Sequence, residues 1–162
     1  MKTISPIKRS DALVPLSRDH HFGLLLSWKI RQGLAKNVQP ERISKYVIYF
    51  FEADLQAHFM EEEALLFSKA PAGDILCERA LQEHSDIIDW IGDIRQNPGN
   101  KLALSGFADA LENHIRFEER ILFNHLQEQL NDEDLEILKD HTREKKADPD
   151  DRWKDLFWNQ KS

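Results

Sequence analysis

The chain has 162 residues, enough for one domain with a sizeable core, and carries a net charge of -7 with a pI near 5.5. No basic stripe interleaved with aromatics relieves that acidity, which excludes nucleic acid and an anionic membrane surface as partners. Cys77 is the single cysteine, so neither an intramolecular disulfide nor a thiolate-based zinc or iron–sulfur site is available within one chain. The longest apolar run, Tyr46 to Phe51, is far too short to span a bilayer. The leading MKTISPIKRS has positive charge but no apolar segment behind it, so a cytoplasmic protein is the expectation.

Helix 1 is expected from about Ser17, with Asp19 favourable in its first turn, to about Lys36. Helix 2 opens at Pro40, a good first helical position, and runs to about Lys69. Pro71-Ala72-Gly73 reads as a turn, after which helix 3 takes Asp74 to Arg95. Asn97-Pro98-Gly99-Asn100 reads as the next turn, and helix 4 follows from about Leu102 to Leu130. A fifth helix starts after the Asn131 cap, where Asp132, Glu133 and Asp134 suit the helix dipole, and Asp148-Pro149-Asp150-Asp151 ends it. Trp153, Phe157 and Trp158 form an aromatic tail.

No stretch alternates convincingly with period two, so the fold class is all-α. Four long helices joined by short turns predict an antiparallel up-down four-helix bundle, with an N-terminal arm and a short C-terminal helix. Residues 1–147 form the bundle in this reading. Residues 148–162 form a tail that packs back across it, meets a partner, or joins two chains in a homodimer.

Two helices carry the same four-residue step from histidine to glutamate, His58 to Glu62 and His114 to Glu118. Four residues is about 400° on a helix, so each pair points one way, one turn apart. Traced at steps of three and four, helix 2 buries Phe51, Leu55, His58, Glu62 and Leu65, and helix 4 buries Leu104, Phe107, Leu111, His114, Glu118 and Ile121. Helix 3 buries Cys77, Leu81, His84, Ile88 and Ile91. On helix 1 the expected stripe is Val14, Ser17, His21, Leu24, Leu25 and Trp28. Every long helix therefore puts a histidine on its apolar face.

Any one of these histidines taken alone reads best as a satisfied core residue. The set does not. Burying two carboxylates costs several kcal/mol each unless they are paired or bound to metal, and no arginine or lysine lies on these stripes. Protonated histidines are the competing partners. Imidazole and carboxylate donors without thiolate suit iron, manganese or zinc.

At Leu16-Ser17-Arg18-Asp19-His20-His21, His58-Phe59-Met60-Glu61-Glu62, Glu83-His84 and His114-Ile115-Arg116-Phe117-Glu118-Glu119, the chain resembles hemerythrin-like proteins of the histidine–histidine–glutamate cation-binding type. The resemblance covers about residues 13 to 130. It implies a four-helix bundle around a non-haem di-iron centre with bridging carboxylates, holding two iron ions (Fe2+/Fe3+) per chain, with zinc or manganese as substitutes. Carried over, His58, His84 and His114 are ligands, with Glu62 and Glu118 bridging. His21 is the helix 1 ligand because Leu24 and Leu25 follow it at three and four; counting from His20 gives Gly23 and Leu24, a poorer match that keeps His20 as the alternative.

Two departures stand out. Ala80 and Ile88 flank His84 where oxygen carriers have a second helix 3 histidine. Glu119 stands where they place an aspartate. The resemblance therefore points away from reversible oxygen transport and toward binding or sensing of a small diatomic molecule (O2 or NO), redox work or iron homeostasis. The alternative is a non-catalytic iron or zinc storage or sensing module acting through a protein partner.

A turnover enzyme with an organic substrate is not expected. Leu55, Phe107, Leu111, Ile88, Trp28 and Phe117, one turn from the ligands, leave room for little more than a water or a diatomic. His125 is expected as a core or rim histidine, His141 as solvated, Cys77 as plain core, and Glu61 and Glu63 as the solvated flank of helix 2.

Overall fold

The computed structural model describes residues 8–142 and 148–161, and the expectations for residues 1–7 and 143–147, including the start of the N-terminal arm, lie outside them. The chain is helical, with no strand among the described residues. Helix α1 (Val14–Ala35) has proline in its first turn and closes at Asn37, whose φ of 55° places it in the left-handed region that ends helices. Helix α2 covers residues 40–66 and alternates two windings: α over Pro40–Phe50 and Gln56–Glu61, π over Phe51–Leu55 and Glu62–Leu66. A tight turn at Phe67–Lys69 ends it.

Helix α3 (Ile75–Gln96) is capped by Asp74, whose carboxylate accepts from the Cys77 amide at 3.1 Å. Helix α4 covers residues 101–129, with a π-turn at Glu118–Leu122 between Lys101–Phe117 and Phe123–Gln129; Asn100 caps it. Helix α5 (Asp132–His141) is capped by Asn131, as its sequence suggests, but ends at Thr142, where the backbone becomes extended. No helix among the described residues is long and apolar enough to cross a membrane.

Helix α1 packs most extensively against α4, α4 also against α3, and α2 touches α1 and α3. The α1–α4 approach is close because α1 turns small residues inward. A Cβ on Gly23 would stand 2.6 Å from Cδ1 of Ile115, and the Ser27 hydroxyl donates to the Ala108 carbonyl at 3.0 Å. This differs from the stripe expected on helix 1. Leu16, His20, Gly23, Ser27 and Ile30 are buried, while His21 and Trp28 are exposed and Leu24 and Leu25 half-buried. Large apolar side chains suggested the wrong face, because a tight helix crossing is built from small ones.

The π-turns account for two further differences. Each adds a residue to a turn and rotates the rest of its helix, so Leu66 is buried where Leu65 was expected, and Leu122 where Ile121 was. On α3, Ala80 and Ile87 are buried and Leu81 and Ile88 are exposed.

The apolar core comes in two parts. One gathers Leu26, Ile30, Tyr46, Phe59, Phe107, Leu111 and Phe157; the other gathers Leu13, Leu16, Leu66, Phe117, Phe123, Leu126 and Leu138. The tail belongs to the first. Trp153, Phe157 and Trp158 pack on Tyr46, and Asp150 binds both the buried Lys29 ammonium and the Tyr46 hydroxyl. At the other part, Arg9 of the N-terminal arm donates to the Glu119 carbonyl at 2.7 Å and lies over the Phe123 ring.

Candidate metal centre

The histidines sit where the two core parts meet. His20 comes from α1, His58 from α2, His84 from α3 and His114 from α4. With Glu62 and Glu118 they form a layer in which no residue is more than 4% exposed. Their ligand atoms fall into two groups, His20, His58, Glu62 and Glu118, and His84, His114, Glu62 and Glu118, each gathered within 4.8 Å. Both glutamates belong to both groups. Glu62 Oε1 lies 3.1 Å from His58 Nε2 and 3.3 Å from His84 Nε2, and Glu118 Oε1 lies 3.2 Å from His20 Nε2 and 2.9 Å from His114 Nε2. The second π-turn of α2 and the π-turn of α4 begin at these two glutamates, a winding found often at functional sites.

All four imidazoles are oriented alike. The Nδ1 of His20 meets Glu119 at 2.6 Å, that of His58 meets Asp19 at 2.8 Å, that of His84 meets Glu63 at 2.9 Å, and that of His114 meets Glu83 at 2.8 Å. An Nδ1–H donating to a carboxylate fixes the tautomer and leaves the Nε2 lone pair facing inward. The carboxylates come from neighbouring helices in one circuit: α4 serves α1, α1 serves α2, α2 serves α3, and α3 serves α4. Phe59 stacks on His84 at 3.9 Å and Phe123 on His20 at 5.3 Å, closing the rings in.

The inward atoms are less well provided for. Nε2 of His58, His84 and His114, both Glu62 oxygens and Glu118 Oε2 make no hydrogen bond despite the short separations. Burial would push the His58 pKa down, but Glu62 and Asp19 more than offset it and raise it to about 9. His114 is lifted against burial to about 10 by Glu118 and Glu83, and His20 goes well above its ordinary value through Glu118, Glu119 and Glu62. Burial would raise the Glu62 carboxyl; His58, His20 and His84 bring it well below the usual carboxylate range instead. Charged imidazoles can therefore balance the carboxylates, but they leave six polar atoms without hydrogen bonds. A pair of cations would satisfy the same atoms, and outer carboxylates on ligand imidazoles are the usual support of such sites.

The Hemerythrin HHE cation binding domain matches residues 18–126. The chain belongs to that family. No curated protein and no solved structure matches it. Among the described residues, the two candidate groups that could hold metal ions both lie in the layer just described.

Six of the seven residues singled out from sequence, His20, His58, Glu62, His84, His114 and Glu118, come together in the HHE layer. His21 does not. It points outward beside Phe22, Leu24, Leu25 and Trp28, and His20, the alternative, takes the inward position because the α1 face runs through Gly23 and Ser27. Trp28 and Ile88, expected to crowd the ions, are exposed.

Glu63 is exposed as a flank residue should be, yet it anchors His84. Asp19, Glu83 and Glu119 were likewise missed as anchors. A signal existed: each stands directly beside an inward residue, in Asp19-His20, Glu62-Glu63, Glu83-His84 and Glu118-Glu119. His125 pairs with Asp74 at 2.7 Å, outside the layer, and the exposed His141 turns its Nδ1 to the Ile137 carbonyl at 2.8 Å. Cys77 is buried, and burial with the nearby Asp74 and Glu118 charges pushes its thiol to about 12, which keeps it neutral.

Proposed function

We propose that this HHE protein holds two iron ions per chain, Fe2+ or Fe3+, and binds or senses a small diatomic molecule, O2 or NO, or serves redox or iron homeostasis in the cytoplasm. The observation that carries the reading is the convergence of the unbonded Nε2 and carboxylate atoms in one buried layer whose imidazoles are anchored from behind. His20 and His58 would hold one ion, His84 and His114 the other, with Glu62 and Glu118 shared. Bound iron supplies an accessible change of oxidation state and a coordination position for an outside ligand.

The chain's own residues hold the imidazoles still, and the two apolar core parts keep water from the layer. Enclosure favours a diatomic over an organic substrate. A cavity of about 590 Å³, lined by Ser44, Ile48, Ile94 and Pro98, shares no residue with the layer.

The order of the anchoring pairs supports an antiparallel up-down bundle. The acid precedes the inward residue on α1 and α3 and follows it on α2 and α4, as one circuit requires when alternate helices reverse direction. Zinc or manganese would occupy the same donors where iron is scarce.

Protein produced with supplementary iron should contain about two irons per chain, as two four-donor groups require. Azide or nitric oxide should change its spectrum. Alanine at both His58 and His114 should abolish iron binding; unchanged iron content would refute the ligand assignment. A spectrum indifferent to both probes, in protein confirmed to hold iron, would make the chain a storage or sensing module instead.

A further inference from the structure

The two halves of the layer have matching inner ligands but unequal outer support. Asp19, behind His58, is buried, with a side chain 7% exposed. Glu119, behind His20, is fastened by Arg9 at 3.1 Å, and the same guanidinium lies over Phe123, the ring stacked on His20. Glu83, behind His114, is held by Arg79 at 3.0 Å. Glu63, behind His84, is 43% exposed, and its only ion-pair partner among the described residues is His84 itself.

The same corner adjoins a cavity of about 430 Å³ at the α2–α3 turn. Glu63, Asp74 and Glu78 line it together with Phe67, Cys77 and Leu81, and no cationic side chain among the described residues does. Phe67 lines the cavity, and its ring lies 5.7 Å from the His84 ring. Such a lining attracts a divalent cation and repels anions. An ion leaves when a ligand imidazole swings away, and that swing must first break the Nδ1–carboxylate bond. The bond to Glu63 is the most solvated of the four and hence the weakest. On the opposite side the Arg9 arm and Phe123 cover His20, and the Asp19 anchor is buried.

We propose, resting on the two-ion reading above, that the centre exchanges one divalent cation at a time: the ion at His84 and His114 comes and goes past Glu63 through the acidic cavity, while the ion at His20 and His58 stays.

The test uses the full chain loaded with Zn2+ and mixed with an excess of a chromogenic zinc chelator. Release should occur in two phases of equal amplitude with rates at least about ten-fold apart, the range over which outer partners change metal binding. Glu63→Gln should speed the fast phase by about 10- to 100-fold and leave the slow one alone. Arg9→Ala should speed the slow phase only. Glu78→Lys, which touches no ligand or anchor, should slow reloading of the emptied half without changing the final zinc content. Both ions leaving in one phase, Glu63→Gln speeding both phases alike, or Glu78→Lys reloading at the wild-type rate would overturn the inference. A wild-type chain that takes up fewer than two ions would refute the two-ion reading, and this inference with it.

Discussion

Loading the centre with metal should expel protons. Without an ion, His58 and His114 hold theirs to about 9 and about 10, because the glutamates beside them outweigh burial. A cation needs both imidazoles neutral. At pH 7 the two lie about 2 and about 3 units above the solution, so stripping them costs about 7 kcal/mol, at 1.36 kcal/mol per unit. His20, shifted the same way, adds to the requirement. Each imidazole protonated in the free chain therefore makes the logarithm of the affinity climb by about one per pH unit until its own pKa is passed.

Calorimetric titration with Zn2+ at pH 7, in two buffers of different protonation enthalpy, should give about two to three protons released per chain. Affinity should rise steeply from pH 6 to pH 8 and flatten only above about pH 10, where the last of the pair is neutral. Release of less than about half a proton, with affinity flat over that range, would refute the reasoning, since it would mean burial had already neutralised the imidazoles.

The metal-free chain should melt at its highest temperature between about pH 4.5 and pH 6.5, measured by circular dichroism. The raised imidazoles contribute stability below their ordinary 6.5 and lose it as pH climbs through about 9 and about 10, while lowered Glu62 contributes above its ordinary 4.5 and loses it as pH falls. At the other end of the molecule, Asp150→Ala should cost about 3 kcal/mol in denaturant unfolding, because it takes the carboxylate from the buried Lys29 ammonium. Lys29→Met in that background should recover most of it; a loss under about 1 kcal/mol would place Lys29 in water.

Much of this was legible in the sequence, and the misses have physical causes. His58 with Glu62 and His114 with Glu118 were readable because a four-step on a helix fixes direction without knowledge of the partner. The cap at Asn131 was readable for the same local reason. The face of α1 was not, because its register is decided by how closely α4 approaches, and that approach rewards Gly23 and Ser27 over Leu24 and Trp28. Leu65 and Ile121 were misplaced because a π-turn is invisible to a period of 3.6. Glu63 passed as solvated flank, and Asp19, Glu83 and Glu119 were not read as anchors, because their imidazole partners lie on a different helix.

The circuit of anchors has a consequence for how the chain selects its topology. Four amphipathic helices with similar apolar faces can be wound together in either sense, and apolar burial alone discriminates weakly between the two. The pairs at Asp19-His20, Glu62-Glu63, Glu83-His84 and Glu118-Glu119 act as addresses, each acid reaching the imidazole of one particular neighbour. Winding the helices the other way would aim every acid at the wrong side and leave four buried imidazoles without their acceptors. Polar contacts of this kind tell the correct arrangement from its near-twin. The pairs that steady the imidazoles thereby also count against the mirror-wound bundle.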